Sequence, residues 1–340
     1  MRLKVTRKNL PLLATFAVFL MIYAAGAIAY PGFLSLRVFV NLLYDNAFIG
    51  IIAVGMTFVI LSGGIDLSVG SFLGFTGVLA ANLLSSYGVN PWMVILITLA
   101  SGMLFGLIMG TLIVAFELPP FLVTLVGMFL ARGLCYVISL DSVPIRDETF
   151  LAIAGLSIPL GGGVRLTVHS MVFIAVLVIG AYMLHFTRFG RTAYAIGGNE
   201  KSAVLMGLPV MRTKILIYTL NSTICAIGGL VYSLYTLSGY PRAGTMLELD
   251  VIASVVIGGT LLSGGVGFVE GTLVGVLILG LIQTIITFQG TLSTWWTKIF
   301  IGILISVFIL LQTYMSRSSF DRRLGSGRKE GRQGPARQLP

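Results

Sequence analysis

Charged side chains are scarce. Asp, Glu, Lys and Arg make up 10% of the 340 residues, whereas soluble globular domains run at about 25%. A soluble fold of this size could not cover its surface with so few. Hydrophobic residues reach 56% and the mean hydropathy is +0.99, so the chain reads as an integral membrane protein. At about 20 apolar residues per span, ten spans use about 200 residues. The remainder suffices for loops and tails but for no large soluble domain.

Other absences narrow the chemistry. The only cysteines, Cys135 and Cys225, fall in apolar stretches, which argues against a disulfide scaffold or a thiolate metal site. His169 and His185 are the only histidines, too few for a His-rich metal cluster. No GxxxxGK[ST] run occurs. The nearest stretch, Gly197-Gly198-Asn199-Glu200-Lys201-Ser202, lacks the glycine before lysine that lets backbone amides close on phosphate. HExxH and GxSxG are missing, and no His–Asp pair is usable for catalysis. The chain therefore carries no ATP site and is not expected to be an enzyme. The net charge of +10 reads as membrane topology signals rather than nucleic-acid binding.

What is present is a series of apolar stretches at 10–30, 47–62, 69–88, 92–115, 120–140, 168–187, 214–238, 251–262, 268–288 and 296–315. They predict an all-α polytopic membrane protein of about ten transmembrane helices, some short or broken. The stretch 251–262 is too short to cross about 30 Å at 1.5 Å per residue. The first stretch follows Arg2, Lys4, Arg7 and Lys8 and contains Ala27-Ile28-Ala29, which resembles a cleavage site. It exceeds the usual signal-peptide core and is read as an uncleaved helix. Residues 1–315 form one membrane domain on this reading. Residues 316–340, rich in Arg, Gly, Ser and Gln, are expected to be a disordered basic tail.

Charge sets the orientation. Segments 1–9, 188–214 and 316–340 hold four, five and seven Lys or Arg, 16 of the 22. The positive-inside bias puts these segments and both termini in the cytoplasm. Arg37, Arg146, Arg165 and Arg242 then lie in outer loops, and Arg132 lies within a span. The outer loop 141–167 carries Gly161-Gly162-Gly163. Ser62-Gly63-Gly64-Ile65 recurs as Ser263-Gly264-Gly265-Val266, with Gly70 and Gly74 matching Gly271 and Gly275. Duplication and chance explain these identities equally well in so glycine-rich a chain.

The acidic residues sit at span boundaries or in loops, none clearly at mid-bilayer, which argues against an ion-coupled carrier, the alternative class. Asp66 reads either as a helix N-cap ahead of Leu67 and Ser68 or as a pathway residue. Thr57, Thr124, Asn221 and Gln283 are polar residues within spans. They either bond between helices or line a route for a hydroxyl-rich solute. Gly102, Gly106 and Gly110 form a small-residue stripe, read as a packing seam.

These residues resemble a known family. The run Gly55-Met56-Thr57-Phe58-Val59-Ile60-Leu61-Ser62-Gly63-Gly64-Ile65-Asp66-Leu67-Ser68-Val69-Gly70-Ser71 is similar to the signature of sugar ABC importer permeases of the ribose, xylose, arabinose and galactose type. Pro120-Phe121 with Thr124-Leu125, Arg188-Phe189-Gly190-Arg191 and the segment from Asp250 to Gly267 resemble further family segments. Asp45-Asn46-Ala47-Phe48, Pro144-Ile145 and the stretch from Gly290 to Lys298 resemble the galactofuranose branch.

The resemblance implies a type II ABC importer permease in a bacterial inner membrane. Its partners would be an ABC ATPase carrying the ATP and Mg, a periplasmic sugar-binding protein, and a second permease, either a different chain or another copy. This chain would bind no cofactor itself. The loop 188–213 would hold the helix that docks on the ATPase, with Gly197, Gly198, Asn199, Glu200, Lys201, Met206 and Gly207 as coupling residues. Asn199 suits a helix cap, and Glu200 suits the positive end of the helix dipole. Ala203, Val204 and Met206 are candidates for an apolar face. Thr57, Asp66, Thr124, Asn221 and Gln283 are the candidate substrate path.

Overall fold

The computed structural model describes residues 10–291, 293 and 295–310. The basic residues before Leu10 and the tail 316–340 lie outside them. The architecture is a helical bundle with two small antiparallel strand pairs.

The chain enters through α1 (Leu10–Ala29), then α2 (Leu36–Asp45) and α3 (Ala47–Leu61), which meet at a 61° bend. α4 (Val69–Ser85), α5 (Pro91–Ala115) and α6 (Pro120–Ile138) follow. The next segment holds β1 (Val143–Pro144), α7 (Glu148–Gly155), β2 (Ser157–Gly161) and β3 (Val164–Thr167). Then come α8 (Val168–Phe186), the short α9 (Arg188–Gly198) and α10 (Glu200–Leu205), and the long α11 (Val210–Thr236). β4 (Ser238–Gly239), α12 (Leu247–Ile257), α13 (Val269–Gln289) and α14 (Trp295–Leu310) complete it.

Every predicted apolar stretch coincides with a helix, but the count of about ten spans is not confirmed. Among the described residues, six helices are long and apolar enough to cross a membrane, and the bent α2–α3 pair makes a seventh. α4 and α14 are apolar but shorter, and α12 has 11 residues. At 1.5 Å per residue, 11 residues reach about 17 Å, roughly half of a hydrocarbon core. α2 was not expected at all. It is amphipathic, burying Val40, Leu42 and Leu43 while exposing Arg37, Asn41 and Asp45, and its polar face makes it read as a loop. Ser35 caps it by accepting from the Val38 amide at 3.3 Å. The glycine run 161–163 closes the β2–β3 hairpin with φ of 91°, 60° and 75°, a conformation that favours glycine.

Lipid tails are as apolar as leucine, so helices here associate through close packing rather than through water exclusion. α3 and α11 form the centre. All of α3 except Phe48 and Ile49 is buried. The expected seam on α5 is present: a Cβ on Gly102 would meet the Ser222 carbonyl at 2.8 Å, and one on Gly110 would meet the Ile215 Cα at 2.9 Å. Backbone thus lies against backbone along α5 and α11. Arg132, the in-span arginine, donates to the carbonyls of Pro241 and Ala243. It pins the turn before α12, where Gly244 and Met246 have φ of 68° and 63°.

A dense backbone contact lies where α9 ends. The two Ser-Gly-Gly turns, far apart in sequence, meet there. The Gly265 amide donates to the Leu61 carbonyl at 2.9 Å, and Gly63 and Gly264 take φ of 84° and 81°. Gly197 closes over them so tightly that a Cβ would overlap both the Leu61 carbonyl oxygen and the Gly265 nitrogen. A Cβ on Gly198 meets nothing within 4 Å. Gly197→Ala should therefore destabilise the protein by about 1–3 kcal/mol, the usual cost of overpacking. Gly198→Ala should be neutral or slightly stabilising through helix propensity. Thermal melting of the two variants in detergent checks the contrast, and equal melting temperatures would refute the junction.

Candidate functional site

Polar groups concentrate in three places: a sealed cluster within the bundle, the α9–α10 end, and an open cavity at the opposite end.

The sealed cluster holds four of the five expected path residues. Asp66 is 1% exposed. Its Oδ1 accepts from the Ser68 amide at 2.8 Å and the Ser68 hydroxyl at 2.6 Å, and its Oδ2 accepts from Asn221 Nδ2 at 2.8 Å. The N-cap of α4 is Ser68, so Asp66 supports the helix start from two residues outside it. Thr124 on α6 accepts from the Leu67 amide at 3.2 Å. Thr57 and Thr272 share a 2.7 Å hydrogen bond that joins α3 to α13. Asn221 is the twelfth of the 27 residues of α11, so the boundary placement expected for Asp66 is corrected. The turn after α3 folds back into the bundle and carries the carboxylate to mid-helix depth. Hydropathy reading misses this because turns are assigned to surfaces by default. Asn221 Oδ1 and the Tyr218 hydroxyl are buried there without partners.

At the α9–α10 end, Asn199 Oδ1 accepts from the Ser202 amide at 2.8 Å and caps α10, whose first turn carries Glu200. Glu200 also pairs with Lys214 at 2.6 Å. Ala203 turns inward onto Ile196 and Val210, so the exposed apolar face is Val204, Leu205 and Met206 instead, with Leu205 87% exposed. Lys201 is exposed on the same helix, and Gly207 ends the turn at φ 75°. The face borders a cavity of about 830 Å³ shared with the α5–α6 connection. On α9, the Tyr194 hydroxyl donates to the Gly267 carbonyl at 2.6 Å. Burial, then the Glu270 charge, pushes the Tyr194 pKa up to about 12, so the group stays a neutral donor.

The opposite end holds a cavity of about 680 Å³ between α2, the start of α3, the end of α11 and α13. Gln283, the fifth expected path residue, lines it, together with Asn41, Asp45 and Asn46. Gly280 lets α13 approach the α2–α3 bend, since a Cβ there would overlap Asn46. Asn46 Nδ2 is held by the Leu42 carbonyl at 2.9 Å. A spacing signal existed for this site: Asn41 and Asp45 are four residues apart and share one helix face. No group of three or more His, Cys, Asp or Glu that could hold a metal ion occurs among the described residues.

Comparison with known proteins fits this arrangement. The family model described as the permease component of branched-chain amino acid transport systems matches residues 38–309. The chain is 53% identical over 306 residues to the inner membrane ABC transporter permease protein YjfF of Escherichia coli (strain K12), covering 90% of this chain and 92% of that protein. It is 39% identical to the fructose import permease protein FruG of Bifidobacterium longum (strain NCC 2705), over 94% of this chain and 95% of that one. It is likewise 39% identical to the ribose import permease protein RbsC of Bacillus subtilis (strain 168), over 90% and 93%. No solved structure matches.

The buried carboxylate gives a direct test of the sealed cluster. Asn221→Ala should cost about 1–3 kcal/mol by leaving Asp66 short of a donor. Paired with Asp66→Ala, it should show a coupling energy of about 0.5–3 kcal/mol. Denaturation of the two single variants and the double variant in detergent measures it, and additive losses would mean that the contact contributes nothing.

Proposed function

The chain belongs to the permease-component family of ABC transport systems, and on that premise we propose that it is the membrane subunit of an ATP-driven monosaccharide importer. Such permeases are not enzymes, and ATP hydrolysis resides on a separate ATPase subunit. A substrate-binding protein is the other implied partner. The fructose and ribose importers among the relatives support a sugar as the solute. Within the sugars we assign galactofuranose, on the resemblance carried by Asp45-Asn46-Ala47-Phe48, Pro144-Ile145 and Gly290 to Lys298. The α9–α10 end faces the cytoplasm and the β2–β3 end the periplasm of a bacterial inner membrane, with a second permease completing the pathway.

One observation carries this reading. α10 is a capped helix whose apolar side chains Val204, Leu205 and Met206 are turned outward, while Gly197 near the end of α9 is locked against both Ser-Gly-Gly turns. An exposed apolar face on a short, fixed helix fits a groove on a soluble partner. Gly197 and Gly198 seat the helix, Asn199 caps it, Glu200 and Lys201 flank it, and Met206 and Gly207 close it. The substrate path runs past Gln283, and Thr57, Asp66, Thr124 and Asn221 hold the helices around it.

Leu205→Asp is a surface change that should leave melting within about 0.5 kcal/mol of the parent. It should weaken retention of the ATPase by more than about 30-fold, as loss of an interface anchor does. Pull-down from membranes, followed by uptake of labelled sugar, measures both. Normal ATPase retention would remove α10 from the interface. Uptake that collapses with the ion gradient at constant ATP would refute an ATP-driven importer.

A further inference from the structure

The cavity at the α2–α3 bend has the chemistry of a carbohydrate site, and we propose that it is a binding station at which this subunit reads the sugar it passes. The inference rests on the importer reading above and adds a site and its recognition groups.

Three features point to a neutral polyhydroxylated ring. The first is the polar set. Asn41, Asp45 and Gln283 are exposed to the cavity, although Gln283 belongs to a helix whose hydropathy of 2.1 marks it as a span. Polar groups in such a helix face a water-filled space or another protein rather than lipid. Amides offer both donors and acceptors, and an ionised carboxylate accepts up to about four hydrogen bonds, a match for adjacent hydroxyls. Asp45 Oδ1 accepts one from the Tyr235 hydroxyl at 3.3 Å, and both residues line the cavity.

The second is an aromatic wall. Phe48 meets Tyr232 edge-on at 5.0 Å, and Tyr235 meets Tyr44 at 5.1 Å. These contacts hold the rings in place. The electron-rich face of an aromatic ring attracts the weakly positive C–H face of a sugar ring. The third is charge balance. Arg37 lines the same cavity as Asp45. In the adjoining cavity of about 360 Å³, Lys298 is neutralised by Asp250 at 2.7 Å. Neither space selects an anion or a cation. The two cavities share Asn46, Phe48, Ile49 and Gln283 as a common wall. The main volume, about 680 Å³, lies within the range of about 300–1,000 Å³ typical of small-molecule sites.

A branched-chain amino acid would find a pairing for its two charged ends in Asp45 and Arg37. Its side chain would find Val38, Leu42, Ile49 and Phe288 in the same lining, so L-leucine is the competitor that the test must include.

The test uses the complete complex, with ATPase, second permease and binding protein, in proteoliposomes. Uptake of labelled D-galactose (whose solution equilibrium supplies galactofuranose), D-ribose, D-fructose and L-leucine is measured for the parent, Gln283→Leu, Asp45→Asn and Tyr232→Ala. At least one variant should change the ratio of two sugar uptake rates by tenfold or more while ATPase retention and melting stay at parental values. Unchanged ratios in all three, or L-leucine as the preferred solute, would overturn the proposal. Where a variant fails to fold, Thr287→Cys replaces it. The native cysteines are both buried, and Thr287 is exposed at the cavity. A bulky methanethiosulfonate reagent on this residue should cut sugar uptake at least tenfold, and full uptake after modification would exclude the cavity. A parent complex that carries none of the three sugars would refute the importer reading itself, whereas parental sugar uptake with indifferent variants refutes only the binding station.

Discussion

The fold hangs on one close approach of backbones, the contact of Leu61, Gly197 and Gly265 at the end of α3. Its central hydrogen bond, Gly265 N–H to the Leu61 carbonyl, joins the turn after α3 to the turn before α13. In water such a contact would be one of many. Within a bilayer, helix association gains little from burying apolar surface and relies on packing distance. A side chain on Gly197 would overlap the Leu61 carbonyl and force α9 away from both turns. The same requirement recurs along the α5–α11 seam and again where Gly280 meets Asn46. Among the described residues, most glycines therefore lie where elements touch. Flexibility is a secondary role, confined to turns such as those at Gly63 and Gly264.

The parts of this fold governed by local pattern were legible in the sequence. Apolar runs located each long helix, Gly102, Gly106 and Gly110 identified a seam, and Asn199 identified a cap. The Ser-Gly-Gly turns were visible as related turns, but nothing local indicates that they touch, since that contact spans 200 residues of chain. Depth was equally hidden. Asp66 stands in a turn, and only the path of α3 and α4 through the bundle shows that this turn reaches Asn221 at the middle of α11. Among the five path candidates, residue type alone could not separate packed groups from lining groups. Thr57, Asp66, Thr124 and Asn221 are sealed by neighbours, whereas Gln283 is open, because it lies on the face of α13 that lines the cavity while Leu281 and Ile286 stay in the core.

That difference follows from what a polar group needs in a membrane. A hydroxyl or amide inside the bundle must find a protein partner or carry a desolvation cost. Thr57 meets Thr272, Thr124 meets the Leu67 amide, and Asp66 takes three donors. Such groups fix helices in register. Polar groups at the α2–α3 bend have few protein partners and face open volume. Solutes or water satisfy them, so they are the ones suited to recognition.

α3 connects these two environments. It begins beside Asn46 and Phe48 at the cavity and ends with Leu61 at the glycine contact. Fifteen residues at 1.5 Å each span about 22 Å. Nearly every one is buried, so the helix has no room to bend between its ends. At the other end, the 61° bend at Asn46 is the first break in the helix. Asp45, Asn46 and Phe48 at the bend also line the cavity. A buried helix with the Gly197 contact at one end and a polar, aromatic cavity at the other joins the two ends of the bundle through one packed element.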